Sequence, residues 1–160
     1  MSGIIGGLAS KSGIIVKTIS GSGAFCATGN GSGWVTAANA AILVFGNDSQ
    51  GDNFDDDGIY NTSSYKYQVP ATGIYYFWMS IYTANSDATN AFGFTSNNGE
   101  LNLAGQADNY LLFESAGTDD RKLNASLVMR FAAGDTVWCA ARLITEYVQD
   151  RSQWGGCRLS

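Results

Sequence analysis

One run of ten residues limits the fold of this chain more than any other stretch. From Ile74 to Thr83 it reads Ile-Tyr-Tyr-Phe-Trp-Met-Ser-Ile-Tyr-Thr. At strand spacing, one face carries Ile74, Tyr76, Trp78, Ser80 and Tyr82, and the other carries Tyr75, Phe77, Met79 and Ile81. Both faces are apolar, whereas an antiparallel strand ordinarily turns one face to the core and one to water. An aromatic side chain buries about 150–250 Å², so leaving such a face wet is costly. The second face therefore needs a cover. Two covers are open: a loop or third layer of the same chain, or another copy of it. Just before this run, Tyr65, Tyr67 and Val69 alternate with Ser64, Lys66 and Gln68, the period of a half-buried strand. Pro70 lacks the N–H that a central ladder needs and ends that strand. Thr72-Gly73 supplies the turn.

The rest of the sequence reads as more strands of this kind. Twenty glycines, a single proline and many Asn, Ser and Asp fit short strands joined by tight turns. No amphipathic helix longer than two turns is evident. Gly23 to Ala27, Trp34 to Thr36 and Ala41 to Phe45 are expected strands, and Gly46 to Gly58 is an expected acidic loop. Phe92-Phe94 and Tyr110 to Glu114 follow. Leu123, Ala125, Leu127, Met129 and Phe131 then alternate with Asn124, Ser126, Val128 and Arg130. Gly134-Asp135 turns into a strand expected over Thr136 to Val148, and Trp154 to Leu159 closes the chain. The total is about ten strands spaced as in a sandwich. Residues 23–160 form one expected domain, long enough to bury about 70% of the surface of its unfolded chain.

Residues 1–22 differ. They hold no acidic and no aromatic residue, and Gly and Ser interrupt the apolar groups Ile4-Ile5 and Ile14-Ile15-Val16, with Lys11 and Lys17 between and after. Such a segment cannot build a core. It reads as a disordered tail or as an extended arm lying on a support, and its apolar pairs favour the arm. The start, Met-Ser-Gly-Ile-Ile-Gly-Gly, lacks the basic opening and apolar centre of a secretory signal, so folding in a cytoplasm is expected. Cys26, Cys139 and Cys157 are then expected as small buried thiols rather than a disulfide framework.

Several functions are excluded by residue type. A net charge of −5 with only nine Lys and Arg argues against nucleic acid as a partner. No apolar run approaches the roughly 20 residues of a membrane helix, so no membrane partner is expected. The absence of histidine removes the commonest general base, the Ser and Cys triads and most zinc sites. With only Glu100, Glu114 and Glu146 as glutamates, nothing pairs two for glycoside hydrolysis. No catalytic residue and no enzyme activity are expected. Asp52-Asn-Phe-Asp-Asp-Asp-Gly58 resembles half a calcium loop, but Ser64 stands where the bidentate Glu belongs. Asp52, Asp55 and Asp57 read as a solvated acidic turn, with a looser calcium site as the alternative and no other cofactor.

The blocks Tyr67-Gln-Val-Pro-Ala-Thr-Gly-Ile-Tyr-Tyr-Phe77, Gly134-Asp-Thr-Val-Trp138, Ser152-Gln-Trp-Gly-Gly-Cys-Arg-Leu159 and Ala24-Phe-Cys-Ala27 together resemble the globular heads of complement component one subunit q and tumour necrosis factor-like proteins. The resemblance spans about Gly23 to Ser160 and implies an all-β antiparallel jelly-roll β-sandwich that assembles as a homotrimer. Candidate interface residues are Tyr75, Tyr76, Phe77, Trp78, Tyr82, Trp138 and Trp154. Only one of Tyr75 and Tyr76 should lie on the interface face. Ser10 to Ile15 resembles short arms of tailed-phage particle proteins. The implied function is a viral structural protein: a trimeric decoration or cement protein made in the bacterial host cytoplasm and placed on the virion. Its arm (Ile4, Ile5, Lys11, Ile14, Ile15, Val16 and Lys17) would dock on the major capsid protein. Exposed loops could also hold a host cell-surface glycan. The alternative is the receptor-binding head of a tail fibre or tailspike.

Overall fold

The structure, a computed structural model, describes residues 23–29, 31, 33–38, 41–46, 54–83, 90–97, 112–117, 121–142 and 145–160. Eleven strands are described, and no described residue is helical. In chain order they are β1 (Phe25–Thr28), β2 (Trp34–Ala37), β3 (Phe54–Asp55), β4 (Tyr60–Asn61), β5 (Lys66–Gln68), β6 (Gly73–Thr83), β7 (Asn90–Ser96), β8 (Leu112–Gly117), β9 (Arg121–Phe131), β10 (Thr136–Arg142) and β11 (Thr145–Arg158). They form two antiparallel sheets. Sheet 1 runs β3-β1-β11-β6-β9, with β2 also on β11, and sheet 2 runs β4-β5-β10-β7-β8. This is the expected all-β sandwich.

Parity decides what fills the space between the sheets. Tyr75, Phe77, Met79 and Ile81 of β6 are at most 1% exposed and face sheet 2, from which Tyr67, Phe92, Phe94, Val137 and Cys139 point back. The Trp154 ring on β11 lies at the centre. Its centroid is 4.6 Å from Phe25, 5.6 Å from Tyr60 and 6.2 Å from Phe77, and edge-on packing of this kind adds to area burial. Two consecutive glycines make room for these rings. Gly155 stands opposite Trp78 and Gly156 opposite Phe77, one pair on each face of the sheet. A Cβ on Gly156 would run into the Phe77 ring and come within 2.7 Å of the Tyr76 carbonyl oxygen, so no larger residue fits there without moving backbone.

Some strands differ from the sequence expectation. The run from Thr136 to Val148 is not one strand. It divides into β10 in sheet 2 and the start of β11 in sheet 1. Ala41 to Phe45 forms isolated bridges only, Ile42 with Ala140 and, just beyond it, Gly46 with Thr28, while Leu43 and Phe45 are fully buried. Tyr65 does not begin a strand. It sits in a turn with φ of 58°, closed by its N–H donating to the Asn61 carbonyl at 2.7 Å. β11 is irregular between Val148 and Gln153, where Ser152 repairs the ladder. Its hydroxyl donates to the Val148 carbonyl at 2.6 Å and accepts the Tyr82 N–H at 3.0 Å.

Two core tyrosines make stability sensitive to alkali. Tyr60 donates to the Phe45 carbonyl at 2.7 Å, and the Tyr67 hydroxyl is buried with no partner among the described residues. Burial pushes both hydroxyls far above the ordinary tyrosine value. A folded-state value above the unfolded one means that the unfolded chain releases the proton first. The stabilising difference is thus full below pH 10 and lost as pH rises above it. Burial also pushes the Cys139 thiol well up, so we predict that unfolding free energy measured in urea begins to fall above about pH 8.5, where the unfolded cysteine ionises. Above pH 10 it should fall by up to about 1.4 kcal/mol per pH unit for each tyrosine, and Tyr67→Phe should flatten that slope.

Candidate functional site

The outer face of sheet 1 is the most distinctive surface of the domain. Its register can be read row by row. Phe54, Cys26, Gly155, Trp78 and Ser126 stand side by side across β3, β1, β11, β6 and β9. The next row holds Cys157, Tyr76 and Val128, and the row on the other side holds Gln153, Ser80 and Asn124. Tyr82 and Lys122 lie beyond. The Trp78 indole lies over Gly155, since a Cβ there would be 3.0 Å from its ring atoms. Phe54 is 51% exposed at one edge of the sheet, and Val128 and Met129 are 61% and 41% exposed at the other. Leu159, also exposed, donates its N–H to the Ile74 carbonyl beside the same sheet. Every large hydrophobic residue exposed among the described residues therefore borders sheet 1.

Polar groups flank the apolar middle, and Lys122, Asn124, Ser126 and Arg130 are exposed on either side of Val128 along β9. The Ser80 hydroxyl donates to Asn124 Oδ1 at 2.7 Å. The Arg151 guanidinium sits 5.3 Å from the Tyr82 ring centre, a cation–π contact at the rim. Tyr76, Trp78, Met79, Asn124, Ala125 and Ser126 line a shallow depression between β6 and β9. An open apolar band with polar flanks suits a protein contact better than a small-molecule cleft.

The structure divides the candidate interface residues. Tyr76, Trp78 and Tyr82 are half-buried on the outer face. Tyr75, Phe77 and Trp154 are fully buried inside one chain and have no surface to offer a partner, a correction that follows from strand parity. Trp138 belongs to sheet 2, is 3% exposed, and has the Lys66 ammonium 4.2 Å above its ring, so it does not join the Tyr76 face. Of the neighbours Tyr75 and Tyr76, it is Tyr76 that faces outward. Among the cysteines, Cys139 is buried as expected, but Cys26 and Cys157 are only half-buried, on this outer face. Phe54 was not a sequence candidate, because it sits within an acidic turn and shows no strand period. Val128 was placed by its alternation opposite Leu127.

The acidic turn holds backbone. Asp55 accepts the Ile59 and Tyr60 N–H groups, each at 3.0 Å, and Asp57 accepts the Gly23 N–H at 2.8 Å. Among the described residues no three His, Cys, Asp or Glu side chains converge to hold a metal ion. Asp52 and the arm residues Ile4, Ile5, Lys11, Ile14, Ile15, Val16 and Lys17 lie outside the described residues. We predict that Asp55→Ala lowers stability by about 1–3 kcal/mol through two orphaned donors. The loss, read as a shift in the thermal midpoint, should be equal with calcium and with chelator.

No family model matches the chain, and no curated protein matches it in sequence. Solved structures match its fold. The globular domain of zebrafish complement 1qA protein superposes with a TM-score of 0.58 at 14% identity, covering 86% of this chain and 97% of that one. The Eiger tumour necrosis factor of S. frugiperda gives 0.60 at 17% identity, covering 86% and 92%. The fold is the jelly roll of complement and tumour necrosis factor-like domains.

Proposed function

We propose that this chain is a non-enzymatic structural module that assembles as a homotrimer through the outer face of sheet 1 and decorates a viral shell. The observation that carries the assembly is the apolar band from Phe54 through Trp78 and Tyr76 to Val128, exposed at Phe54 and Val128 and half-buried at Trp78 and Tyr76. Copies that met along it head to tail, each turned by a third of a full rotation from the last, would close into a ring of three. A permanent interface of this type buries over about 2,000 Å² and resembles a core. The homotrimer is also what the sequence resemblance implies.

The decoration role draws on residues 1–22, whose apolar pairs, glycines and two lysines suit an arm that lies on another surface. Binding only to the assembled shell would stabilise it by mass action. Light scattering on the purified protein should give three times the chain mass of 17.0 kDa, and a persistent single chain would overturn the assembly. Quantitative mass spectrometry of the particle encoded with this chain should find hundreds of copies. A few tens would move the role to a tail head, and none would end the virion reading. Deleting residues 1–22 should leave the assembled heads intact and abolish attachment to the shell.

A further inference from the structure

We infer that Cys26 and Cys157 form a thiol modification site that controls self-association. This rests on the homotrimer reading of the sheet 1 face. Phe25, Ala27 and Trp154 point inward, so the alternate residues Cys26 and Cys157 stand at outward positions of β1 and β11. Cys26 lies between Phe54 and Gly155, the glycine covered by the Trp78 ring, and Cys157 lies opposite Tyr76. Both thiols thus sit among the side chains that the assembly would cover. Both are half-buried in one chain, within reach of a small reagent, whereas Cys139 is enclosed in the core.

The two positions are diagonal neighbours, because Cys26 pairs with Gly155 and Cys157 is two residues further along. Diagonal Cα atoms stand about 7–8 Å apart, past the usual disulfide span of about 4.4–6.8 Å. The geometry therefore favours adducts with small molecules over an internal bridge. The reacting partner is a low-molecular-weight disulfide. The cysteine thiolate attacks one of its sulfurs, a mixed disulfide forms, the old S–S bond breaks, and the other half leaves as a thiolate. An adduct such as glutathione brings charged groups onto Trp78 and Tyr76. They cannot be covered by an apolar partner without losing hydration. By linkage, an assembly that excludes the adduct also protects the thiols.

The test uses full-length protein and oxidised glutathione at several protein concentrations. Peptide mass spectrometry reads each cysteine, and light scattering reads mass. Cys26 and Cys157 should be modified in the single chains of Tyr76→Asp and at least about tenfold more slowly in the wild-type assembly, with Cys139 untouched. Modified wild-type chains should keep their circular dichroism, stay single, and reassemble after reduction. A double variant, Cys26→Ala with Cys157→Ala, should assemble and ignore the reagent. Equal reactivity in both states, or assembly of modified chains, overturns the thiol inference and leaves the homotrimer standing. A chain that is single at every concentration without reagent overturns both.

Discussion

Tyr76→Asp should yield a folded single chain, while Tyr75→Asp, one residue away, should yield no folded protein. Tyr76 is half-buried on the outer face of β6, and hydration of a carboxylate there costs the single chain little, within about 1 kcal/mol. In the assembly the same carboxylate would be buried in an apolar contact, once per copy, which is prohibitive. Tyr75 is fully buried among Tyr67, Phe77 and Phe131, with its hydroxyl donating to the Ala71 carbonyl at 2.6 Å. Aspartate there leaves a cavity and an unpaired charge, together more than about 5 kcal/mol, comparable with the whole stability of a domain of this size. Light scattering and near-ultraviolet circular dichroism separate the outcomes. A full-size assembly from Tyr76→Asp would remove sheet 1 as the interface.

The second large effect is expected at Trp154. Its ring touches Phe25, Tyr60 and Phe77, residues drawn from both sheets, and it has no exposed surface. Trp154→Ala should cost about 3–5 kcal/mol, seen as a lower urea midpoint with unchanged slope. Phe54→Ala, at an exposed edge, should leave the midpoint of the single chain within about 0.5 kcal/mol and weaken assembly instead. Equal losses from the two substitutions would show that Trp154 is not the centre of the core.

Much of this arrangement was legible in the sequence. The two apolar faces of Ile74 to Thr83 are real, and alternation correctly put Leu123, Ala125, Leu127 and Phe131 on one face of β9. What periodicity could not supply was which face points in. That depends on the partner strand, here β11 with Gly155 under Trp78 and Gly156 under Phe77. Trp138 and Trp154 misled for a related reason: an aromatic residue marks a packed surface without saying which one. Phe54 gave no signal because β3 is two residues long and lies among acids. The break between β10 and β11 was hidden because both halves are apolar and β-prone on either side of it.

β11 is the last strand of the chain, yet it lies between β1 and β6 and pairs with both. During synthesis, β1 leaves the ribosome well over a hundred residues before its partner exists. Sheet 1 cannot close until residues 145–158 have emerged. A nascent chain cut short before Thr145 would carry two bare strand edges, each a template for wrong pairing. A stop placed before Thr145 should therefore give aggregate rather than a smaller folded domain, read as the soluble fraction after expression.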